Sequence, residues 1–159
     1  MVLERMELKD IMVRNVATIE PDQSVKEAAK RMNLYEIGCL IVVSNEGVAG
    51  ILTERDILVK VVETSKNAGK TKVKEVMSTK LVTGTSDMDV VDAARLMLKK
   101  KIKKLPVVAD SKLVCLVTFT DIVRTVRMEP EMMNAIKDFS REGLLAPKSM
   151  KTLIEVYTT

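Results

Sequence analysis

An internal repeat constrains the fold of this chain more than any other feature of its sequence. The segment that begins at Lys9 aligns without a gap on the segment that begins at Lys74, a shift of 65 positions. Further identities at this shift are Met12 with Met77, Thr18 with Thr83, Asp22 with Asp87, Thr53 with Thr118, and Asp56 with Asp121. One register that holds through Ile57 indicates a tandem duplication. Because each copy alone is small for an independent core, we expect the two to share one.

Each copy predicts the same order of elements: a helical turn, a brief strand, a helix, two strands joined by a turn, and a second helix. In the first copy these are LKDIM, VATI, a helix opened by Ser24, strands from Leu40 to Val43 and from Val48 to Leu52, and a helix from Glu54 to about Val62. In the second they are VKEVM, LVTG, a helix opened by Asp89, LPVVA, LVCLV, and a helix from Phe119 to about Arg127. The sequence therefore predicts two related β-α-β-β-α units.

The first long helix of each copy has a cap and a buried stripe that can be read from the sequence. Ser24 is followed three residues later by Glu27, the spacing of a capping box, and Asp89 is followed by Asp92. Apolar residues then recur at helical spacing, and the predicted core stripe is Val25, Ala28, Ala29 and Met32. The small alanines would let this helix lie close to a sheet.

The repeat stops after Met128, which divides the chain into residues 6–64, 72–128 and a C-terminal extension, 129–159. Apolar residues at helical spacing in the extension predict an amphipathic helix from about Pro130 to Arg141. Such a helix could cover exposed core or a dimer surface. It could also dock a partner, since methionine-rich faces accept varied surfaces.

The residue types argue against an enzyme. The chain has no histidine, the commonest general base at neutral pH, and no P-loop. Cys39 and Cys115 lie inside apolar runs without CxxC spacing, so we interpret them as small buried hydrophobes and predict no metal site. The apolar runs are far shorter than the roughly 20 residues that span a bilayer, and no signal peptide is visible. We expect a cytoplasmic protein without a membrane anchor.

The formal charge of +4 favours anionic partners. The densest positive cluster is Lys99, Lys100, Lys101, Lys103 and Lys104. These lysines could offset the negative end of a helix dipole, lie near a bound phosphate, or contact nucleic acid. With only 3% aromatic residues, the chain offers almost no base-stacking platform. A nucleic-acid-binding adaptor that uses this cluster is kept as an alternative function.

A threonine followed by an aspartate recurs in ILTERDI and LVTFTDI, and two interpretations are open. Thr53 and Asp56, like Thr118 and Asp121, have the spacing of a capping box, which stabilises a helix by about 1 kcal/mol. The same residues suit a ribosyl phosphate, because a helix start favours phosphate and a carboxylate accepts hydrogen bonds from ribose hydroxyls. The two roles are compatible.

In this order and spacing, the chain resembles a tandem pair of CBS domains, a Bateman module, of the kind found in stand-alone CBS-domain proteins. The segments that carry the resemblance are KDIMVRNVATIEPDQSVKEAAKRM, IGCLIVV and ILTERDI in the first copy, and KEVMSTKLVTGTSDMDVVDAARLM, KLPVV and LVTFTDI in the second. The resemblance implies an α+β fold in which the two repeats pack as a pseudo-two-fold pair, followed here by the C-terminal helical extension. It also implies a sensor without a required cofactor, which binds AMP, ADP, ATP or S-adenosylmethionine as a regulatory ligand, signals to a separate effector protein, and forms a homodimer.

The resemblance assigns roles to residues in both copies. Asp56 and Asp121 would hold ribose, and Thr53 and Thr118 would approach phosphate. The first strands would line the clefts through Thr18, Ile19, Thr83 and Gly84. The adenine edge would meet backbone groups of Gly38, Cys39 and Leu40 in one site and of Lys104, Leu105 and Pro106 in the other. Arg55 and Lys104 are candidate phosphate ligands, and Thr120 replaces Arg55 in the second copy. Since the copies differ at such positions, we expect two sites of unequal affinity.

Overall fold

A computed structural model describes residues 6–12 and 15–125 as a mixed α/β protein. In chain order its elements are α1 (Leu8–Ile11), β1 (Thr18–Ile19), α2 (Val25–Leu34), β2 (Cys39–Ser44), β3 (Gly47–Thr53), α3 (Glu54–Ile57) continued by a π-helix (Leu58–Val62), α4 (Val73–Val76), α5 (Val90–Lys100), β4 (Lys104–Ala109), β5 (Lys112–Thr118) and α6 (Phe119–Thr125). The predicted order of elements is confirmed for the first copy, and for the second copy in all but its first strand. The helix predicted from Pro130 to Arg141 lies outside the described residues.

The chain divides into two compact units. Of the described residues, unit I contains 15–83 and 108–115, and unit II contains 6–12, 84–107 and 116–125. Unit I holds a three-stranded sheet in the order β1-β2-β3, with β1 parallel and β3 antiparallel to β2. The strands β4 and β5 form a two-stranded sheet of their own.

The core of unit I lies between its sheet and α2. Leu40 and Leu52 face each other across β2 and β3, and both are fully buried. They pack in one cluster with Ile19 and with the buried stripe of α2, Val25, Ala28 and Met32. The Ser24 hydroxyl accepts a hydrogen bond from the Glu27 N–H at 3.2 Å, so Ser24 caps α2 as predicted, through this one bond of the expected box. Cap and stripe together fix where α2 begins and which face it buries.

Two local predictions are wrong. Ala29 is exposed, because the buried stripe of α2 turns away from it, whereas the equivalent Ala94 is fully buried in α5. The segment LVTG does not form a strand: Gly84 makes a single parallel bridge to Val107, with its N–H bonded to the Pro106 carbonyl at 2.9 Å. Glycine contributes no side chain to a pleated surface and weakens strand formation.

The predicted burial of the two cysteines is confirmed. Cys39 is 5% exposed and Cys115 is fully buried, each within a strand. Gly50, the repeat equivalent of Cys115, has a separate reason to lack a side chain. A Cβ there would lie 2.8 Å from the Ser78 carbonyl oxygen. Ser78 follows α4 and comes this close because it forms a β-bridge with Ile51, the neighbour of Gly50.

The two short helices α1 and α4 are exchanged between the repeats. Helix α1 precedes the first copy but lies in unit II, where the N–H groups of Leu8 and Lys9 bond the carbonyls of Met88 and Ser86, both at 2.9 Å. Helix α4 precedes the second copy but lies in unit I. There the equivalent residues Val73 and Lys74 bond Gln23 and Pro21 at the same distance. The duplicated sequence thus makes duplicated contacts, each with the other repeat.

The π-helix exposes large apolar side chains. Leu58, Val59 and Val62 lie on neighbouring positions and are 59%, 42% and 63% exposed. The homodimer expected from the resemblance stays a prediction. Within the part of the chain that the structure describes, no helix is long and apolar enough to cross a membrane.

Candidate functional site

Thr53 and Asp56 form a reciprocal capping box at the start of α3. The Asp56 Oδ2 atom accepts hydrogen bonds from the Thr53 N–H at 3.0 Å and from the Thr53 hydroxyl at 2.7 Å. In return the Asp56 N–H donates to Thr53 Oγ1 at 3.2 Å. The capping interpretation is therefore confirmed. Because the box uses only one carboxylate oxygen, it leaves Oδ1 available for other donors.

Thr118 and Asp121 repeat this geometry at the start of α6. Asp121 Oδ2 accepts from the Thr118 N–H at 2.9 Å and from its hydroxyl at 2.6 Å, and the Asp121 N–H donates to Thr118 Oγ1 at 3.2 Å. Both carboxylates are half-buried. The duplication has thus preserved the arrangement of the pair in both copies.

Lys60 is a further residue at the first pair, and the sequence analysis did not single it out. Its Nζ lies 2.7 Å from Asp56 Oδ1, and the two side chains are 40% and 14% exposed. Burial pulls the pKa of Asp56 upward, but the hydrogen bonds from Lys60 and Thr53 and the charge of Lys60 outweigh it, so the pKa lies below its ordinary value. The signal was the spacing of four residues between Asp56 and Lys60 on one helix.

The depressed pKa of Asp56 predicts a pH-dependent contribution to stability. A carboxylate whose folded pKa is lowered stabilises the fold above its ordinary pKa of 3.8, and this contribution is lost as pH falls through the folded value. We therefore expect Lys60→Met to be less stable than the wild type near neutral pH, with a smaller difference in strong acid. Urea unfolding measured from about pH 6 down to about pH 2 checks this.

The matched control for the acid experiment is Thr125→Val, which changes the equivalent position of the second copy. Thr125 donates its hydroxyl to the Asp121 carbonyl at 2.8 Å and does not contact the carboxylate. Its effect on stability should not vary with pH. A pH-independent difference between Lys60→Met and the wild type would show that Lys60 does not lower the pKa of Asp56.

The two predicted first-strand residues of the first copy, Thr18 and Ile19, differ in exposure. Thr18 is exposed and pairs with Ile41, while Ile19 is 2% exposed and faces the core. The Thr18 carbonyl accepts a hydrogen bond from Arg31 Nη1 at 2.9 Å, a contact that sequence reasoning missed. In the second copy Thr83 is exposed, Gly84 is buried, and Leu96 occupies the position of Arg31. Ile19 and Gly84 can therefore contribute shape and backbone groups but no polar side chain.

The predicted adenine-reading segments lie next to the capping boxes. In the first copy the Gly38 carbonyl accepts from the Glu54 N–H at 3.1 Å, and Cys39 pairs with Thr53. In the second, the Lys103 carbonyl accepts from the Phe119 N–H at 2.8 Å. Lys103, and not Lys104, is therefore the equivalent of Gly38, and the prediction omitted it. The side chains of Cys39, Leu40, Leu105 and Pro106 are buried, so these residues offer mainly backbone atoms.

Of the two candidate phosphate ligands, Arg55 lies at a helix start and Lys104 at a strand start. Arg55 and Thr120 are exposed at the second position of α3 and α6, and Lys104 is half-buried at the start of β4. In the basic cluster, Lys99 and Lys100 occupy the last turn of α5, followed by Lys101 in the left-handed conformation that ends the helix. Lysines at this end offset the helix dipole, and the nucleic-acid interpretation has no observation in its favour.

A cavity of about 490 Å³ opens in unit I beside β1 and the β2–β3 turn. Its volume is within the range of small-molecule pockets. The lining consists of Asn15, Val16, Thr18, Val43, Ser44, Asn45, Glu46, Gly47, Asp110, Ser111, Lys112, Leu113 and Val114. Gly47 has a φ of +114°, and a Cβ there would collide with the Ser111 carbonyl oxygen. Of the predicted ligand residues the lining includes Thr18, but neither capping box.

Comparisons with known proteins agree with the duplicated architecture. The family model described as CBS domain matches residues 8–63 and again 73–127. The CBS domain-containing protein YhcV of Bacillus subtilis is 34% identical over 86% of this chain and 97% of its own length. The CBS domain protein TA0289 of Thermoplasma acidophilum has a TM-score of 0.74 at 27% identity, covering 86% of this chain and 77% of its own.

One similar structure contains ligands. It is the CBS domain pair of protein MJ0100 in complex with 5′-methylthioadenosine and S-adenosyl-L-methionine. It has a TM-score of 0.68 at 31% identity and covers 76% of this chain and 94% of its own. Two adenosyl compounds therefore bind a protein with the same pair architecture.

Proposed function

The chain belongs to the CBS-domain family, and from this membership we propose that it is a non-catalytic regulatory module whose ligand is an adenosyl compound. CBS domain pairs act as regulatory modules, and the pair of MJ0100 binds two such compounds. The observation that supports the proposal most directly is the pair of matching boxes, Thr53 with Asp56 and Thr118 with Asp121. Each presents a half-buried carboxylate of which the cap uses only one oxygen.

The carboxylates suit the ribose of such a ligand. An ionised carboxylate accepts about four hydrogen bonds, and the cap supplies two of them, both to Oδ2. The 2′ and 3′ hydroxyls of a ribose are adjacent donors that can both reach one carboxylate. Hydrogen bonds to a charged group contribute roughly 1.5–3 kcal/mol each where water is excluded. Asp56 and Asp121 are therefore the proposed ribose ligands.

The threonines suit a phosphate only after a small rearrangement. In both boxes the threonine hydroxyl donates to its own aspartate. To donate to a phosphate oxygen, the hydroxyl must turn away from the carboxylate. The carboxylate then still accepts the hydrogen bond from the threonine N–H. Since this exchange replaces one charge-assisted bond with another, its net energy is small. Arg55 and Lys104 are the proposed additional phosphate ligands.

Adenine would be read by main-chain groups next to each box. The proposed segments are Gly38 to Leu40 and Lys103 to Pro106, where buried side chains leave mainly backbone atoms to hydrogen-bond the base. The strand residues Thr18, Ile19, Thr83 and Gly84 complete the proposed sites. The effector that responds to the ligand would be a separate polypeptide, and the ligand can bias it only by binding two conformations with different affinity.

Isothermal titration calorimetry with AMP, ADP, ATP, S-adenosylmethionine and 5′-methylthioadenosine tests the proposal. We expect at least one of them to bind with a dissociation constant below about 1 mM, and GMP to bind more weakly because the base is read by the backbone. The absence of binding by all five would overturn the adenosyl assignment. Incubation with ATP and magnesium should give no turnover, which is the control for the non-catalytic part.

A further inference from the structure

Lys60 bridges Asp56 to helix α4. In addition to its ion pair with Asp56 Oδ1, its Nζ donates to the Val76 carbonyl at 2.7 Å. Val76 is the last residue of α4, where carbonyls have no partner within the helix. A cation at this end is favourable both as a donor and through the helix dipole. One ammonium group therefore joins the aspartate proposed to hold ribose to the helix that precedes the second repeat.

The backbone around Lys60 is a π-helix. The Glu63 N–H bonds the Leu58 carbonyl and the Lys66 N–H bonds the Val61 carbonyl, both five residues back and both at 2.9 Å. π-Helical turns are rare in proteins, and those that occur often lie at functional sites. The Lys60 side chain is 40% exposed, so the bridge is accessible to a competing ligand.

We propose that Lys60 is a positioning residue that transmits occupancy of the first site to helix α4. The inference rests on the proposed binding of ribose at Asp56. Of about four hydrogen bonds that the carboxylate can accept, the cap supplies two and Lys60 a third. A vicinal diol brings two more donors. Because Oδ2 stays bonded to the Thr53 N–H of the cap, both diol hydroxyls bind Oδ1, which accepts about two hydrogen bonds. The diol therefore takes the place of the Lys60 ammonium group on Oδ1, the lysine side chain moves into solvent, and the Val76 carbonyl loses its donor.

Among the described residues, the second copy has no lysine that bridges its aspartate to a helix end. The position that corresponds to Lys60 is Thr125, whose hydroxyl donates to the Asp121 carbonyl. Among residues 6–12 and 15–125 no cation bonds the Asp121 carboxylate, so a diol that binds Oδ1 would displace none of the cations in these ranges. The two sites would then differ in kind: the first binds ligand and releases α4, and the second only binds.

Hydrogen exchange of the amides that follow Val76 tests this inference. The Met77 N–H bonds the Val73 carbonyl and the Ser78 N–H bonds the Ile51 carbonyl, both at 2.9 Å. Saturating AMP should speed their exchange in the wild type by about tenfold, the equivalent of one charge-assisted hydrogen bond. The probe for comparison is 2′,3′-dideoxyadenosine 5′-monophosphate, which lacks the diol and should leave the exchange unchanged.

Variants separate the bridge from a general effect of binding. Lys60→Met keeps the aliphatic stem and removes the ammonium group, so its Met77 and Ser78 amides should exchange fast without ligand and gain nothing from AMP. Thr125→Val is the matched control and should behave as the wild type.

The outcomes distinguish this inference from the proposed function. If calorimetry detects AMP binding to the wild type while exchange of Met77 and Ser78 does not change, the coupling is overturned and the proposed function stands. A response to AMP that persists in Lys60→Met also overturns the coupling. If AMP does not bind the wild type, the diol-bearing compound that binds most tightly replaces it in the exchange experiment, and if none of the five binds, the inference is overturned together with ribose binding at Asp56. The wild-type comparison of AMP with the dideoxy compound decides the matter without any variant.

Discussion

Replacing Leu40 with alanine should lower the free energy of unfolding by about 2–5 kcal/mol, a large fraction of the stability of a typical domain. Leu40 is fully buried on β2, opposite Leu52 and in the cluster that includes α2. The substitution removes the transfer energy of the isobutyl group and leaves a cavity that a close-packed sheet cannot collapse to fill. Urea unfolding followed by circular dichroism measures the loss.

Leu34→Ala is the matched control because it makes the same chemical change in the same unit. Leu34 ends α2 and is 72% exposed, so its truncation should alter stability by no more than about 0.5 kcal/mol. Equal losses for the two variants would mean that the sheet and α2 do not enclose the core described above.

Replacing either aspartate that we propose to bind ribose with alanine should weaken adenosyl binding at its own site, and more at the second site than at the first. Asp121 meets no competing cation among the described residues, so its removal should cost about a hundredfold in affinity, the upper range for charged hydrogen bonds. Asp56 is paired with Lys60, which the ligand must displace under the coupling proposed above. Asp56→Ala should therefore cost only about tenfold. Two-site calorimetry with AMP measures both losses.

The capping role of both aspartates is a potential confounder, and the duplication controls for it. Each substitution removes a cap of the same geometry, which contributes about 1 kcal/mol, and Asp56→Ala removes the ion pair with Lys60 as well. Any difference in affinity between the variants then reflects the site. Asp22→Ala removes a carboxylate that is 65% exposed and bonded to Lys72 and Lys74, and it should leave both affinities unchanged. Unchanged affinity in Asp56→Ala and Asp121→Ala would show that capping alone explains the threonine–aspartate pairs.

The sites are alike in their caps and different in their surroundings. The first pair has Lys60 on the carboxylate and Arg31 on the Thr18 carbonyl, and the second has Thr125 and Leu96 at these positions. Unequal affinity was expected from substitutions such as Arg55 to Thr120. The contacts of Lys60 and Arg31 give that expectation a physical basis, since both act directly on groups proposed to meet the ligand.

The sequence by itself determined the duplication, the order of elements, the caps at Ser24, Thr53 and Thr118, and most of the buried stripe of α2. These features depend on residues within one helical turn or on a simple period, so a local pattern specifies them. The prediction of a buried Ala29 was wrong because the helical period of apolar residues does not say how wide the buried face of a helix is. That width depends on what packs against the helix.

Only the tertiary structure decided that α1 and α4 are exchanged between the repeats and that LVTG reduces to one bridge. It also decided that Lys60 joins Asp56 to the carbonyl of Val76, which lies 16 residues after Lys60. Each of these depends on which distant backbone groups come within hydrogen-bonding distance. Two repeats with nearly the same local sequence can satisfy the same bonds within themselves or with each other. Long-range packing decides whether these bonds form within a repeat or between the repeats, and no local sequence pattern records that outcome.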